Sequence, residues 1–249
     1  MQFKVMSAAV GTAVVLSSLA LAPAQAIETS AATELSPANV AYTFNKIRSG
    51  GIVRDITPPT HRRMLLKGNW ARAADVNGDK KAVAFRARSL GIIKRSDPLI
   101  PKRRAFAVSM TIKVNKIVGT DSPNLAQIGY YRQRGQWKVE MLPKSGNILF
   151  RVKGAKGAGT VASRVSISDG GFHQVTCFRK RAKLGVIVDG TKRVRKVPTG
   201  AVTSPRPVTI ANKGGKTSSD QFRGVFDYFA IALGPKAVAR SVAKAPTIP

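Results

Sequence analysis

The 249-residue chain is short of several residue types, and each shortage removes a class of chemistry. Cysteine occurs once, at Cys177, so no internal disulfide forms and no zinc or iron–sulfur cluster with cysteine spacing exists. Acids are scarce: 12 Asp and Glu stand against 42 Lys and Arg, a formal net charge of +30. Glu28, Glu34 and Glu140 are the only glutamates. Glycoside hydrolysis generally needs two carboxylates, and on a strand they share a face only at alternate positions. Glu140, in Trp137-Lys138-Val139-Glu140-Met141, has no carboxylate two or four residues further on, so a strand-borne hydrolase pair is absent. A Gly-x-Ser-x-Gly elbow and a Gly-rich phosphate loop are also missing. After the first 26 residues no apolar run reaches membrane-spanning length.

Residues 1–26 combine Lys4, an apolar run from Met6 to about Leu21 and Ala24-Gln25-Ala26, the features of a secretory leader cleaved after Ala26. The expected organisation is a signal peptide (1–26), a flexible Ala/Ser/Thr-rich arm (27–39), one domain (40–234) and a C-terminal tail (235–249), secreted to the cell exterior. Stability must then come from a hydrophobic core, despite the oxidising destination. Lys and Arg run through nearly every segment, a surface that attracts polyanions: acidic wall polymers, anionic polysaccharides, anionic lipid surfaces and, nonspecifically, nucleic acid.

Short alternating runs dominate the domain. From Ala105, Phe106, Val108, Met110, Ile112 and Val114 point one way and Ala107, Ser109, Thr111 and Lys113 the other, the period of a half-buried strand. Further runs are Val40–Phe44, Ala82–Arg86, Leu125–Tyr130, Gln136–Met141, Asn147–Lys153, Val161–Ile167, Pro207–Ala211 and Phe222–Leu233, punctuated by Gly, Pro, Ser or Asp. A long connection rich in Gly, Pro and Arg links the first run to Trp70. Phe172 to Gly190, FHQVTCFRKRAKLGVIVDG, reads as strand, basic turn and strand, closed by an Asp189-Gly190 pair suited to a type I′ turn. This pattern predicts an all-β, two-sheet antiparallel jelly-roll sandwich with almost no helix. Phe106, Val108, Met110, Ile112, Val139, Phe150, Val186, Val188 and Ile210 are expected between the sheets.

The aromatic-His opening at Phe172-His173, the hairpin and the closing Val188-Asp189-Gly190 resemble the signature hairpin of laminin-G-like domains of the concanavalin A-like lectin/glucanase superfamily. Gln136–Met141 with Gly146–Val152, and Asp220-Gln221-Phe222-Arg223-Gly224 before Phe226-Asp227, are similar to its central strand pair and the approach to its last strand. The resemblance implies the jelly roll, a structural role for His173, and one of several functions: glycan binding, adhesion or glycan cleavage. Gln127-Ile128-Gly129 is similar to the Gln-Ile-His strand of jelly-roll alginate lyases, but Gly129 stands where the lyase has His.

The leading expectation is a non-catalytic, lectin-like domain for anionic or cell-wall polysaccharide. A polysaccharide lyase and a structural adhesion module are the alternatives. Tyr130 and Tyr131 offer flat rings for sugars, and Lys138, Arg151, Lys153 and Arg164 offer donors for acidic groups. Lys138 and Arg151 alternate with apolar neighbours and are expected to face solvent. Arg179, Lys180, Arg181 and Lys183 form a basic cluster at the expected hairpin tip. Trp137 and Cys177 are expected in the core. No cofactor or metal site is predicted, because Asp75-Val76-Asn77-Gly78-Asp79 starts like a calcium loop but lacks the distant bidentate Glu, and a polar turn explains it.

Overall fold

The computed structural model describes residues 39–57, 62–94, 96–114, 122–214 and 220–243. The expected leader, the arm up to residue 38, Pro58, Pro59, His61 and the last six residues of the expected tail lie outside them.

Two antiparallel sheets stack face to face. In chain order the strands are β1 (Val40–Thr43), β2 (Ile47–Arg48), β3 (Ile52–Arg54), β4 (Arg63–Lys67), β5 (Trp70–Ala73), β6 (Ala82–Phe85), β7 (Leu90–Ile93), β8 (Phe106–Lys113) and β9 (Asn124–Tyr130). They continue with β10 (Gln133–Met141), β11 (Asn147–Gly154), β12 (Gly157–Ser166), β13 (Phe172–Lys180), β14 (Lys183–Val188), β15 (Thr191–Lys196), β16 (Val208–Ile210) and β17 (Gly224–Leu233). One eight-stranded sheet runs β15-β14-β13-β8-β17-β6-β5, with β1 also paired to β17. The other, nine-stranded, runs β12-β11-β10-β9-β16-β7-β4-β3-β2.

Alternation in the sequence becomes the core directly. Every residue expected between the sheets is buried there, and Phe106 packs on both Trp137 and Phe150 with ring centroids about 6 Å away. Cys177 lies in the same core, where burial pushes its thiol well above the usual range.

Two expectations are corrected. The connection before Trp70 contains three short strands, β2 to β4, because Val53, Met64 and Leu66 each reach the core. Part of the expected tail is a helix, α1 (Pro235–Ala243), which opens with Pro235 and a Val238 N–H to Gly234 carbonyl bond of 3.0 Å. Its Ala237 and Val238 bury against Ala107, Phe178, Ile187 and Ala232 on the outer face of the eight-stranded sheet.

Candidate functional site

The signature hairpin owes its sequence to a clamp around the buried His173. His173 Nδ1 lies 2.6 Å from Asp189 Oδ2 and Nε2 lies 2.7 Å from Asp169 Oδ1, both nitrogens donating when the ring is protonated, while Asp189 Oδ1 accepts the Gln174 N–H at 2.8 Å. Burial alone would lower the imidazole pKa, but the bonds from Asp189 and Asp169 outweigh it and hold the pKa above its ordinary value. Asp169 moves the other way, lowered by the same bond. Asp189 has φ +46° and Gly190 φ +79°, the two left-handed positions of a type I′ turn, so one residue closes the β14–β15 turn and anchors the start of β13. The three bonds tie the Asp169 loop and the β14–β15 turn to the start of β13.

The predicted binding residues separate into three groups. On β10, Trp137, Val139 and Met141 face inward, and Lys138 and Glu140 face outward. Lys138 is not presented to solvent, however. Its side chain is 12% exposed and its Nζ lies 2.5 Å from Glu140 and 3.4 Å from Asp220. Glu140 also accepts from Arg151 Nη2 at 3.0 Å, so both of its oxygens are occupied by cations. The outward parity of Lys138 is as read, but two carboxylates withdraw its charge from any ligand. Arg151 is held on one side only: its side chain is 37% exposed and its Nε is buried without a hydrogen-bond partner.

Arg179 is the second correction. Parity places it on the same face as Val175 and Cys177, so it points inward at the open end of the sandwich. There, 2% exposed, its guanidinium donates to the carbonyls of Gly200 (2.7 Å), Lys102 (2.7 Å) and Arg104 (2.8 Å) and lies 4.9 Å from the Phe106 ring centre. Burial lowers its pKa to about 10, so it stays charged at neutral pH. Lys180, Arg181 and Lys183 remain exposed at the tip.

The third group does come together. Tyr131, 46% exposed, has Lys153 Nζ 4.3 Å from its ring centre, and the same ammonium donates to the Tyr131 carbonyl at 2.7 Å. Tyr131 and Arg151 line an open depression of about 230 Å³ with Ala158, Gly159, Thr160, Arg195 and Val197. Gly159 makes the wall possible, since a Cβ there would sit 2.1 Å from Val197 Cγ1. Arg195 and Arg193 reach from β15 across to β12, donating to the carbonyls of Thr160 and Ala162 at 3.4 Å each. No described carboxylate lies within ion-pair distance of either.

Sequence reading missed Arg193, Arg195 and Thr160. The segment Thr191–Lys196 is exposed at every position, so no apolar alternation marks it as a strand. Tyr130 is elsewhere: its hydroxyl donates to the Lys213 carbonyl at 3.0 Å and Arg206 covers its ring. Arg164 is exposed on β12 but does not line the depression. At Gly129, φ +76°, any Cβ would stand 2.5 Å from the Gly135 carbonyl oxygen and 2.6 Å from Ser204, so the position the lyase pattern fills with histidine admits no side chain.

The Asp75 loop is a closed polar turn: Asp75 Oδ1 accepts the N–H groups of Asn77 and Asp79 at 2.9 Å each. Nearby Asp227 has its pKa pushed up to about 6 by burial and by the Asp75 charge. No cluster of three His, Cys, Asp or Glu suited to a metal occurs among the described residues. No described helix is long and apolar enough to cross a membrane.

The family model of the concanavalin A-like lectin/glucanases superfamily matches residues 91–239, more than half of the chain. The chain belongs to this superfamily. The superfamily segment runs from β7 to α1 and contains the clamp, the depression and the Arg179 staple. No relative is found among curated protein sequences. Among solved structures, the chain is similar to a botulinum neurotoxin type C structure described with its dependence on two ganglioside molecules for cell entry (13% identity, TM-score 0.62, 85% of this chain and 51% of that one). It is also similar to the binding domain of botulinum neurotoxin serotype D (12% identity, TM-score 0.63, 86% and 51%). A third is domain 4 of AbnA, a GH43 extracellular arabinanase from Geobacillus stearothermophilus, in complex with arabinotriose (14% identity, TM-score 0.59, 84% and 98%). The chain thus spans about half the length of the neurotoxin structures and nearly all of the arabinanase domain. At these identities the likeness is one of fold.

Proposed function

We propose that this superfamily member is a secreted, non-catalytic domain that binds an acidic polysaccharide in the depression between β12 and β15. The observation that carries the reading is the company of Tyr131: an exposed ring beside Lys153, with Arg151 and Arg195 lining the same depression and no described carboxylate within ion-pair distance of Arg195. A sugar ring packs on the tyrosine, its hydroxyls meet Thr160, and its carboxylates or sulfates meet the guanidinium groups. A neutral sugar would leave Lys153 and Arg195 without a described counter-charge. The formal charge of +30 draws such a polymer from a distance. Two structures of similar fold support glycan recognition in general, one described with gangliosides and one in complex with arabinotriose. Against catalysis stand the engaged oxygens of Glu140 and the closed position at Gly129.

The test is calorimetric titration of the mature protein with polygalacturonate and with a neutral β-glucan. Polygalacturonate binding should weaken steeply with salt, because exposed charges are screened over about 8 Å at physiological ionic strength. Tyr131→Ala and Arg195→Gln should each weaken it about tenfold, the loss of one stacked ring or one charge-assisted bond. Arg164→Gln, removing an exposed arginine outside the depression, should change it less than twofold. Equal losses from Arg164→Gln and Arg195→Gln would reduce the binding to a diffuse charge effect and refute the site.

A further inference from the structure

The outer face of the eight-stranded sheet carries a second charged arrangement, unconnected with the depression. Lys180 pairs across the ladder with Lys183, and Lys183 with Lys196, so three lysines stand in one register row over β13, β14 and β15. Like charges placed directly opposite each other on neighbouring strands oppose folding. On the same face of β15, Lys192 lies 5.6 Å from the Phe178 ring centre, and Val194 is 42% exposed between Lys192 and Lys196. Helix α1 packs on this face and turns Lys236 and Arg240 to solvent. No described carboxylate lies within 4.0 Å of these six cations.

The shape of the array selects the partner. The lysine row extends about 10 Å across strands, at about 4.8 Å per strand, and Lys192 to Lys196 adds roughly 13 Å along β15. The helix extends the array further. Its cations come from four elements and spread in two dimensions around an exposed valine, where a single polymer chain would meet only one line of them. Strand alternation keeps this face apart from the depression: Arg193 and Arg195 point toward β12, and Lys192, Val194 and Lys196 point away. We propose that this face docks on the surface of a bilayer containing anionic phospholipid, Lys180, Lys183, Lys192 and Lys196 meeting the headgroups with Val194 at the centre. The domain would then hold its polysaccharide beside a membrane. The proposal does not depend on the polysaccharide reading.

Co-sedimentation of the full chain with vesicles tests it, comparing pure phosphatidylcholine with a mixture containing phosphatidylglycerol. Binding should require phosphatidylglycerol and weaken with salt. Each basic residue near an anionic surface contributes about fivefold in partitioning, so Lys180→Gln, Lys183→Gln and Lys196→Gln together should lower it about 100-fold. A charge-matched control removes exposed Arg48, Arg54 and Arg63 from the other sheet, each as Arg→Gln, and should lower it less than tenfold. Arg195→Gln should leave vesicle binding nearly unchanged. Equal losses in the two triple variants would overturn the proposal, as would tight, lysine-row-dependent binding of soluble long-chain polyphosphate without binding to vesicles.

Discussion

Arg179→Met removes a cation that the chain keeps almost completely out of water. The carbonyls of Gly200 and Arg104 would lose their only described donor, whereas the Lys102 carbonyl keeps the Val202 N–H at 3.1 Å. An abandoned buried carbonyl costs about 1–3 kcal/mol, and the lost contact with the Phe106 ring adds about 1 kcal/mol. The methionine, in turn, no longer requires the desolvation of a charge. The expected balance is a loss of about 3–4 kcal/mol, or roughly 10 °C in Tm for a domain of this size. Arg179→Lys keeps the charge but lacks the planar fork that serves three carbonyls at once, and should cost about 1–2 kcal/mol. Urea unfolding followed by tryptophan fluorescence gives both values, provided the slope with denaturant is unchanged. Amide exchange should accelerate in residues 101–104 and 199–202, the segments that Arg179 ties together. A surface arginine at a hairpin tip would shift stability by no more than about 0.5 kcal/mol, so an Arg179→Met variant within that range would refute the staple.

The His173 clamp predicts a pH slope. Because the folded-state pKa is raised, its contribution is complete below about 6.5 and is lost as pH rises through the higher folded value, so the urea midpoint should fall above pH 6.5 in the native protein but not in His173→Gln. Asp227 acts in a lower window: its carboxyl pKa, pushed up to about 6, makes the folded state the stronger proton binder between about pH 4 and 6, so stability falls as pH rises through that range. Asp227→Asn should flatten the slope and stabilise the fold at pH 7 by about 1–2 kcal/mol, measured by the same titration. Glu140→Gln should destabilise by about 1.5–3 kcal/mol through its two cations, while calorimetry should find polygalacturonate binding a few-fold tighter because Arg151 is released toward the depression.

Strict alternation over Phe106–Val114 and the strand, basic turn and strand of Phe172–Gly190 made the sandwich legible, since period two leaves one face for the core and the Asp-Gly pair suits a type I′ turn. The strands β2 and β3 carry only two and three residues, and β4 places Met64, Leu65 and Leu66 side by side, so no period of two emerges. Charged residues were harder to read, because parity gives a side chain's direction but not what meets it. Arg179 finds the Lys102 and Arg104 carbonyls 77 and 75 residues away, and Lys138 finds Asp220 82 residues away. Tyr131, Arg151 and Lys153 could be read because they lie on or beside one β-hairpin. Arg195 could not, because its strand joins them only across the edge of the sandwich.

β15 is the outermost strand of its sheet, with backbone groups of its free side open to pairing with another strand. Its four basic residues keep copies of the protein apart by mutual repulsion. Those same residues supply Arg195 to the depression and Lys192 and Lys196 to the outer face. A polyanion that binds them also cancels the repulsion and gathers many copies along one molecule. The bound state is therefore the one in which edge-to-edge association is least opposed, and the order of mixing matters: excess polymer spreads the copies apart, whereas excess protein crowds neutralised edges together.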